Sequence, residues 1–393
     1  MVECVIMKRI IVVGGGPSGM MAAISAKMYH PSTHVTLIER NPSLGVKLRI
    51  TGGGRCNVTA DVSSEQIIKN TPKNGRFLYS ALHQFSTKDI QRFFNSRGCA
   101  LKIEEHQRVF PQSDQSLDIV NTLLNELKQH NVEILLNTLI TKIDISKKVV
   151  VSDQDKELSF DYCILATGGL SYPKTGSDMI GFELIKQCDH QVTPLKPAET
   201  PLVSNDEVIQ SKKLMGLSFK DVFITAYVNH KKKISLTHDM IFTHFGVSGP
   251  GILQVSSYLV NEFEKEAMLE LSFDFLKDDT LETLQNHANI EKHCLSQSIP
   301  KRLIAYLKET YNSDWIRHLI DFRLTIYDSR GFNHAFVTSG GVVIKEIDPK
   351  TMKSKRHPSL SICGEALDVN SLTGGYNMTV AFSTGHSAGK HVM

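Results

Sequence analysis

The run Arg9-Ile10-Ile11-Val12-Val13 leads straight into Gly14-Gly15-Gly16-Pro17-Ser18-Gly19. At this spacing a strand, a tight turn and a helix must follow one another. The first glycine of the triplet allows the turn, the second lets phosphate approach the backbone, and the third lets the helix pack on the strand. Gly14, Gly16 and Gly19, with Pro17 and Ser18 between them, are therefore the first candidate ligand contacts. Small residues continue through Ala22, Ala23, Ser25 and Ala26, as a helix lying close on a sheet requires. A second run, His34-Val35-Thr36-Leu37-Ile38, ends in Glu39, about 20 residues beyond the last glycine, where an acid meets a ribose hydroxyl. The whole predicts a βαβ unit holding a dinucleotide pyrophosphate at a helix N-terminus, where free amides and the helix dipole attract phosphate.

Composition narrows the class. With 393 residues and 41% hydrophobic content the chain can bury a large core in two or three domains. Lys and Arg number 44 against 41 acids, a net +3, too small to argue for nucleic acid or an acidic membrane surface as partner. The cluster Lys231-Lys232-Lys233 reads as a solvated hairpin turn. Seven scattered cysteines without a CxxC pair argue for a reducing compartment, the cytoplasm, and against a metal site or structural disulfides. No apolar run reaches the roughly 18 residues that span a bilayer.

Further along, Thr51-Gly52-Gly53-Gly54-Arg55-Cys56-Asn57 has more backbone freedom than a surface turn needs. Gly53, Gly54 and Arg55 suit a pyrophosphate, and Asn57 suits a ring carbonyl. Ser86-Thr87 cap a helix bearing Ile90, Phe93 and Phe94. Ala100–Ile103 and Gln107–Phe110 predict a hairpin. Leu117, Val120, Leu123, Leu124 and Leu127 have helical spacing up to a strand at Val132–Leu136. Three segments between Leu139 and Phe160 predict a small meander. It feeds the buried strand Tyr162–Leu165, which ends in Ala166-Thr167-Gly168-Gly169, where backbone passes beneath a nucleotide. Prolines 194, 197 and 201 then mark the start of a β-rich, barrel-like stretch that includes Val222–Val228 and Met240–Thr243. Between Asp278 and His318 the pattern is helical, with Leu303, Ile304 and Leu307 as its buried stripe. Strands return at Arg323–Ile326, Ala335–Val337 and Val342–Ile344. Near the C-terminus, the strand and loop holding Gly364, Glu365 and Asp368 precede Gly374-Gly375-Tyr376-Asn377, which open a helix. Its N-terminus suits the negative charge that a flavin's N1 and C2 carbonyl carry after two-electron reduction.

Together these motifs resemble the flavoproteins of the glutathione-reductase-like FAD fold. Within them, the chain is similar to the bacterial HI0933-like family, also called the aminoacetone oxidase family of FAD-binding enzymes. The resemblance rests on Gly14–Gly19 with Glu39, Thr51–Asn57, Arg108–Pro111, Ala166–Gly169 with Tyr172, Pro173 and Gly176, Phe242–Pro250, Gly364–Asp368 and Thr373–Asn377. Met20-Met21 departs from the small residues usual after Gly19, a matter of packing. The resemblance implies an α/β protein: a Rossmann-like FAD-binding domain built from both chain ends, an inserted β-barrel-like domain and a small helical subdomain. The expected boundaries are 1–192 and 346–393 for FAD binding, 193–275 and 323–345 for the β-rich insertion, and 276–322 for the helices. It implies non-covalent FAD, with Arg40, Thr51, Cys56 and Ile140 added to the contacts named above.

One nucleotide fingerprint is present, and none lies between Leu170 and Phe336, so electrons are expected to enter from an oxidisable substrate and leave to dioxygen. The expected reaction is oxidation of a small primary amine such as aminoacetone to a carbonyl product, ammonia and hydrogen peroxide. His244 is a candidate base near neutral pH, or else a histidine bonded to backbone. Tyr172 is a candidate ring-facing residue, or else a packing aromatic. Two other classes stand beside this one: an NAD(P)H-dependent flavin reductase or dehydrogenase acting on an enone, and a non-redox FAD-containing protein that modifies nucleic acid. The substrate and the oligomeric state stay open.

Overall fold

A computed structural model of the chain describes residues 7–265 and 267–393. It divides into two compact units. The first is drawn from both chain ends, reaching Lys196 and resuming at Val337; the second covers Pro197–Phe336.

The first unit is built on β1 (Arg9–Val13), α1 (Pro17–Tyr29), β2 (His34–Ile38), α2 (Ser116–Gln129), β3 (Glu133–Leu135), β4 (Tyr162–Leu165), β5 (Leu360–Ile362) and α3 (Tyr376–Lys390). Its sheet has the order β5-β4-β1-β2-β3, with every neighbouring pair parallel. Ile10 to Val13 are all buried, as a central parallel strand covered on both faces requires. Ligands of such sheets bind beyond the carboxyl ends of the strands. Here β1, β2 and β4 deliver Gly14, Glu39 and Ala166 to that edge. The tail of the chain supplies β5 and α3, so the sheet is complete only when both ends meet.

Helix α3 lies unusually close to α1. A Cβ on Gly385 would sit 2.3 Å from the Ser18 carbonyl oxygen, and one on Gly389 would sit 2.1 Å from that of Ala22. Small residues on both helices therefore set their separation.

The hairpin forms as Leu101–Glu104 against Arg108–Pro111. The helix Thr87–Asn95 starts with a capping box between Ser86 and Asp89, a device worth about 1 kcal/mol. The meander comprises Ile140–Asp144, Val149–Ser152 and Glu157–Ser159. Three local expectations need correction. Leu117 is exposed; the buried stripe of α2 begins at Ile119, which shares a face with Leu123 and Leu127. Val342–Ile344 is not a strand: Val342 bridges Val192 and Leu367, and the chain then turns at Ile344–Glu346, placing the Glu346 carboxylate 2.7 Å from His190 Nδ1. The strand expected at Ala335–Val337 runs instead over Val337–Ser339.

In the second unit, Ser218–Val228 and Lys231–Phe242 form a long hairpin. Its turn is Asn229-His230, so Lys231–Lys233 open the returning strand rather than make the turn. These two belong to a seven-stranded sheet whose end strands are Phe322–Ile326 and Asp328–Ser329. A single residue, Tyr327, joins those two ends, which gives the sheet its barrel-like closure. Helices Leu281–Gln285, Ile290–Ser296 and Lys301–Tyr311 follow the sheet's Leu269–Asp274 strand, and Leu303, Ile304 and Leu307 are buried in this unit's own core. Among the described residues no helix is long and apolar enough to cross a membrane. Cys4 lies outside the described residues; the other six cysteines are free and buried.

Candidate functional site

The glycine loop has the geometry its spacing predicts. Gly14, at φ +111°, donates its N–H to Ile38 O at 2.8 Å, and a Cβ there would lie 2.3 Å from Ala166 O. A Cβ on Gly19 would lie 1.8 Å from Gly14 O, whereas one on Gly16 meets nothing within 4 Å. The turn is thus closed on its protein side and open at Gly16, where α1 begins with Pro17 and the buried Ser18.

Glu39, at the end of β2 and 8% exposed, folds back on this loop. Its carboxylate accepts from Gly15 N–H at 2.6 Å and from the Asn41 backbone and side-chain amides at 2.8 and 2.7 Å. Arg40 pairs with Asp178 and donates to Gly176 O at 3.2 Å. The backbone amides of Asn137 and Thr138 donate to Asn41 O and Glu39 O, which brings the buried Ile140 into this neighbourhood.

A second cradle begins at Thr51, whose hydroxyl donates to Leu48 O. Gly53 and Gly54 follow in the left-handed region with open space where a Cβ would stand. Arg55 does not lead from here toward a phosphate. Its guanidinium lies 4.0 Å over Phe110 and pairs with Glu104 at 2.9 Å and Asp114 at 3.2 Å, so two carboxylates already compensate its charge. Cys56 is fully buried and burial pushes its thiol up to about 12, so it stays a neutral packing residue.

Asn57 stands against the start of α3. Gly375, at φ +94°, has no room for a Cβ, which would lie 2.3 Å from Thr59 O and 2.9 Å from Asn57 Oδ1. Beside it are Gly374 and Tyr376, whose hydroxyl accepts from Asn70 at 3.3 Å. Asn377 is used structurally: its side chain accepts from Ser371 N–H at 2.9 Å and donates to Ser371 O at 2.6 Å. Asp368 is buried and ion-paired with Lys73 at 2.6 Å.

Beyond β4, Gly168 takes a left-handed conformation with open space around it, and Tyr172 does the same without being glycine, at φ +54°. Such a backbone persists only where the surroundings fix it. What fixes it is a network the sequence does not reveal. Glu365 accepts from Ser171 Oγ at 3.0 Å, Thr338 N–H at 2.9 Å and Lys47 Nζ at 2.8 Å. Glu365 therefore braces the loop that presents Tyr172. Burial raises the Tyr172 phenol above its usual range, keeping it protonated. Gly364, next to Glu365, donates its N–H to Thr384 Oγ1 on α3.

Three atoms test whether these residues fit FAD. Asn57 Oδ1, Thr167 Oγ1 and Asp368 Oδ1 are buried without a hydrogen-bond partner, a state that costs free energy unless a ligand supplies donors. All three lie on the segments that the glycine motifs mark, and on those segments Gly16, Gly53, Gly54 and Gly168 have open space where a Cβ would stand. The set fits a long polar nucleotide cofactor. His244 belongs to the other unit, exposed on the turn Thr243–Gly246 beside the ring of Phe245. Among the described residues no group of His, Cys, Asp or Glu could hold a metal ion.

The model of the HI0933-like protein Rossmann domain matches residues 8–391. The chain is 28% identical over 409 residues to the 3-dehydro-bile acid delta(4,6)-reductase of Clostridium scindens, with 98% of both chains covered. It is also 28% identical over 400 residues to the ribosomal RNA dihydrouridine synthase of Escherichia coli, with 95% of each covered. Among solved structures, the 3-ketosteroid delta1-dehydrogenase of Sterolibacterium denitrificans superimposes with a TM-score of 0.55 at 12% identity, over 98% of this chain and 99% of that one. At that identity the likeness is one of fold.

Proposed function

The chain belongs to the HI0933-like protein Rossmann-domain family of FAD-dependent oxidoreductases, and from that premise we propose that it reduces a carbon–carbon double bond conjugated with a carbonyl in a small ring substrate. The observation that carries this reading is the near-complete match in length to two relatives. The names of both describe saturation of such a bond, in a bile acid ring and in a uracil ring.

FAD, when bound, supplies the two-electron chemistry. The protein's part is to hold and orient. Gly14–Gly19 and Glu39 suit the nucleotide end, while Asn57, Asp368 and the N-terminus of α3 suit the flavin end. We assign Tyr172 the proton that saturation of the second carbon requires, because the braced loop holds its half-buried phenol in a fixed backbone conformation and a phenol keeps its proton near neutral pH. We propose the cytoplasm as the location, where six free, buried cysteines stay reduced.

The test is anaerobic. FAD-loaded protein, reduced with dithionite, is mixed in turn with a 3-oxo-4,6-diene steroid, free uridine and ribosomal RNA, and the visible flavin band is followed. Return of the band with the steroid or with uridine supports the proposal. Return with ribosomal RNA alone would move the substrate from a small molecule to a nucleic acid. No return with any of them, together with bleaching of the oxidised protein by aminoacetone, would overturn it in favour of amine oxidation.

A further inference from the structure

The loop 368–376, which carries Asp368 to the start of α3, is fastened by a segment that precedes it by about 300 residues within the same unit. That segment, 70–74, follows the helix Ser64–Lys69. Leu372 N–H donates to Asn70 O at 2.9 Å, and the Asn70 side chain donates to the Tyr376 hydroxyl at 3.3 Å. The Thr71 hydroxyl donates to Ile67 O at 2.8 Å and so accepts from Ser371 Oγ at 2.6 Å. Asn74, in the left-handed region at φ +62°, donates through its side chain to Asp368 O at 2.7 Å. Between these anchors stands Lys73, its ammonium 2.6 Å from Asp368 Oδ2.

The two charges are unequally placed. The Lys73 side chain is 46% exposed and that of Asp368 only 4%. Neither group enters another ion pair among the described residues, so a buried carboxylate depends on one cation at the surface. Removing one partner of such a pair leaves an uncompensated buried charge. The second carboxylate oxygen, Oδ1, is buried with no partner, so the pair presents one fixed acceptor to whatever occupies the space beside it. Two-electron reduction places negative charge on a flavin ring. A carboxylate beside that ring opposes reduction unless a cation cancels it, and shielding from water strengthens the effect.

We propose that Lys73 is a positioning residue for the bound flavin: through its ion pair it aims Asp368 Oδ1 at a hydrogen-bond donor of FAD and cancels the carboxylate charge that disfavours the reduced cofactor. This rests on the placement of the flavin end beside Asp368 given above, and it is independent of which substrate is reduced.

The midpoint potential of the FAD-loaded protein is measured by stepwise anaerobic reduction against a reference dye, and flavin content after gel filtration is recorded for every variant. The potential relative to free FAD reports the ratio of affinities for reduced and oxidised cofactor. Lys73→Gln should lower that ratio about tenfold, equivalent to about 30 mV for a two-electron couple. Lys73→Arg, which keeps the charge, should stay within about twofold of the wild type. Asp368→Asn should raise the ratio, and the double variant Lys73→Gln with Asp368→Asn should return to within about threefold of the wild type. If Lys73→Gln retains no flavin, recovery of flavin in the double variant supports the proposal and failure to recover it overturns it. An unlowered ratio in Lys73→Gln, with Asp368→Asn still raising it, would overturn the role of Lys73 while the flavin placement stands. A lowered ratio that the double variant does not restore would show that Lys73 acts without Asp368, and would overturn it as well. No response to either single variant would remove the flavin placement and the inference with it.

Discussion

At the residue scale, what was legible in the sequence is what neighbouring residues decide between them. Gly14, Gly16 and Gly19 announce their roles because turn, phosphate approach and helix packing all fall within one short segment. The structure separates those roles sharply: a side chain at Gly19 strikes the Gly14 carbonyl, while one at Gly16 strikes nothing of the protein. Gly19→Ala should therefore lower stability by about 1–3 kcal/mol through overpacking. Gly16→Val should leave the ligand-free protein close to wild type in urea unfolding, yet lose most of its FAD affinity. Equal loss of stability in both variants would contradict this division. The Glu365 network was not legible, because Lys47 reaches Glu365 across 318 positions and no local pattern marks either residue. Arg55 shows the converse: its setting among glycines suggested a phosphate, and only the folded hairpin brings Glu104 and Asp114 to it.

At the element scale, strands and helices with a strong period were found where expected, and departures occur where tertiary contacts intervene, as at Ile344–Glu346. Helix α3 shows how much a single element can carry. It packs on α1 through Gly385 and Gly389 and offers its N-terminus beside Asn57. It also buries His386, stacked on Phe85 with ring centroids 4.6 Å apart. Burial first, then the Lys390 charge, holds His386 down to about 4, against about 6.5 in an unfolded chain. The folded state thus binds fewer protons in this window. The contribution of His386 is full above pH 6.5 and is lost as pH falls toward about 4. His386→Leu should make the unfolding free energy less sensitive to acid, by on the order of 2–3 kcal/mol between about pH 7 and pH 4.5. Parallel pH profiles for variant and wild type, from urea titrations, would show that the ring does not titrate in this way.

At the scale of the whole molecule, a domain that leaves and returns was legible from the glycine motifs at both ends of the chain and from the prolines after Val192. The structure adds where the strands join. Thr193 N–H donates to Gly341 O at 2.9 Å, and Val192 lies opposite Val342, so exit and return run side by side within the first unit. The central claim is that peptide segments from the head, middle and tail of the chain together hold one FAD. Absorbance spectroscopy tests it most directly, on protein incubated with excess FAD and freed of unbound cofactor by gel filtration. The account predicts a yellow protein with one FAD per chain; a colourless protein, with no flavin band after that incubation, would contradict it.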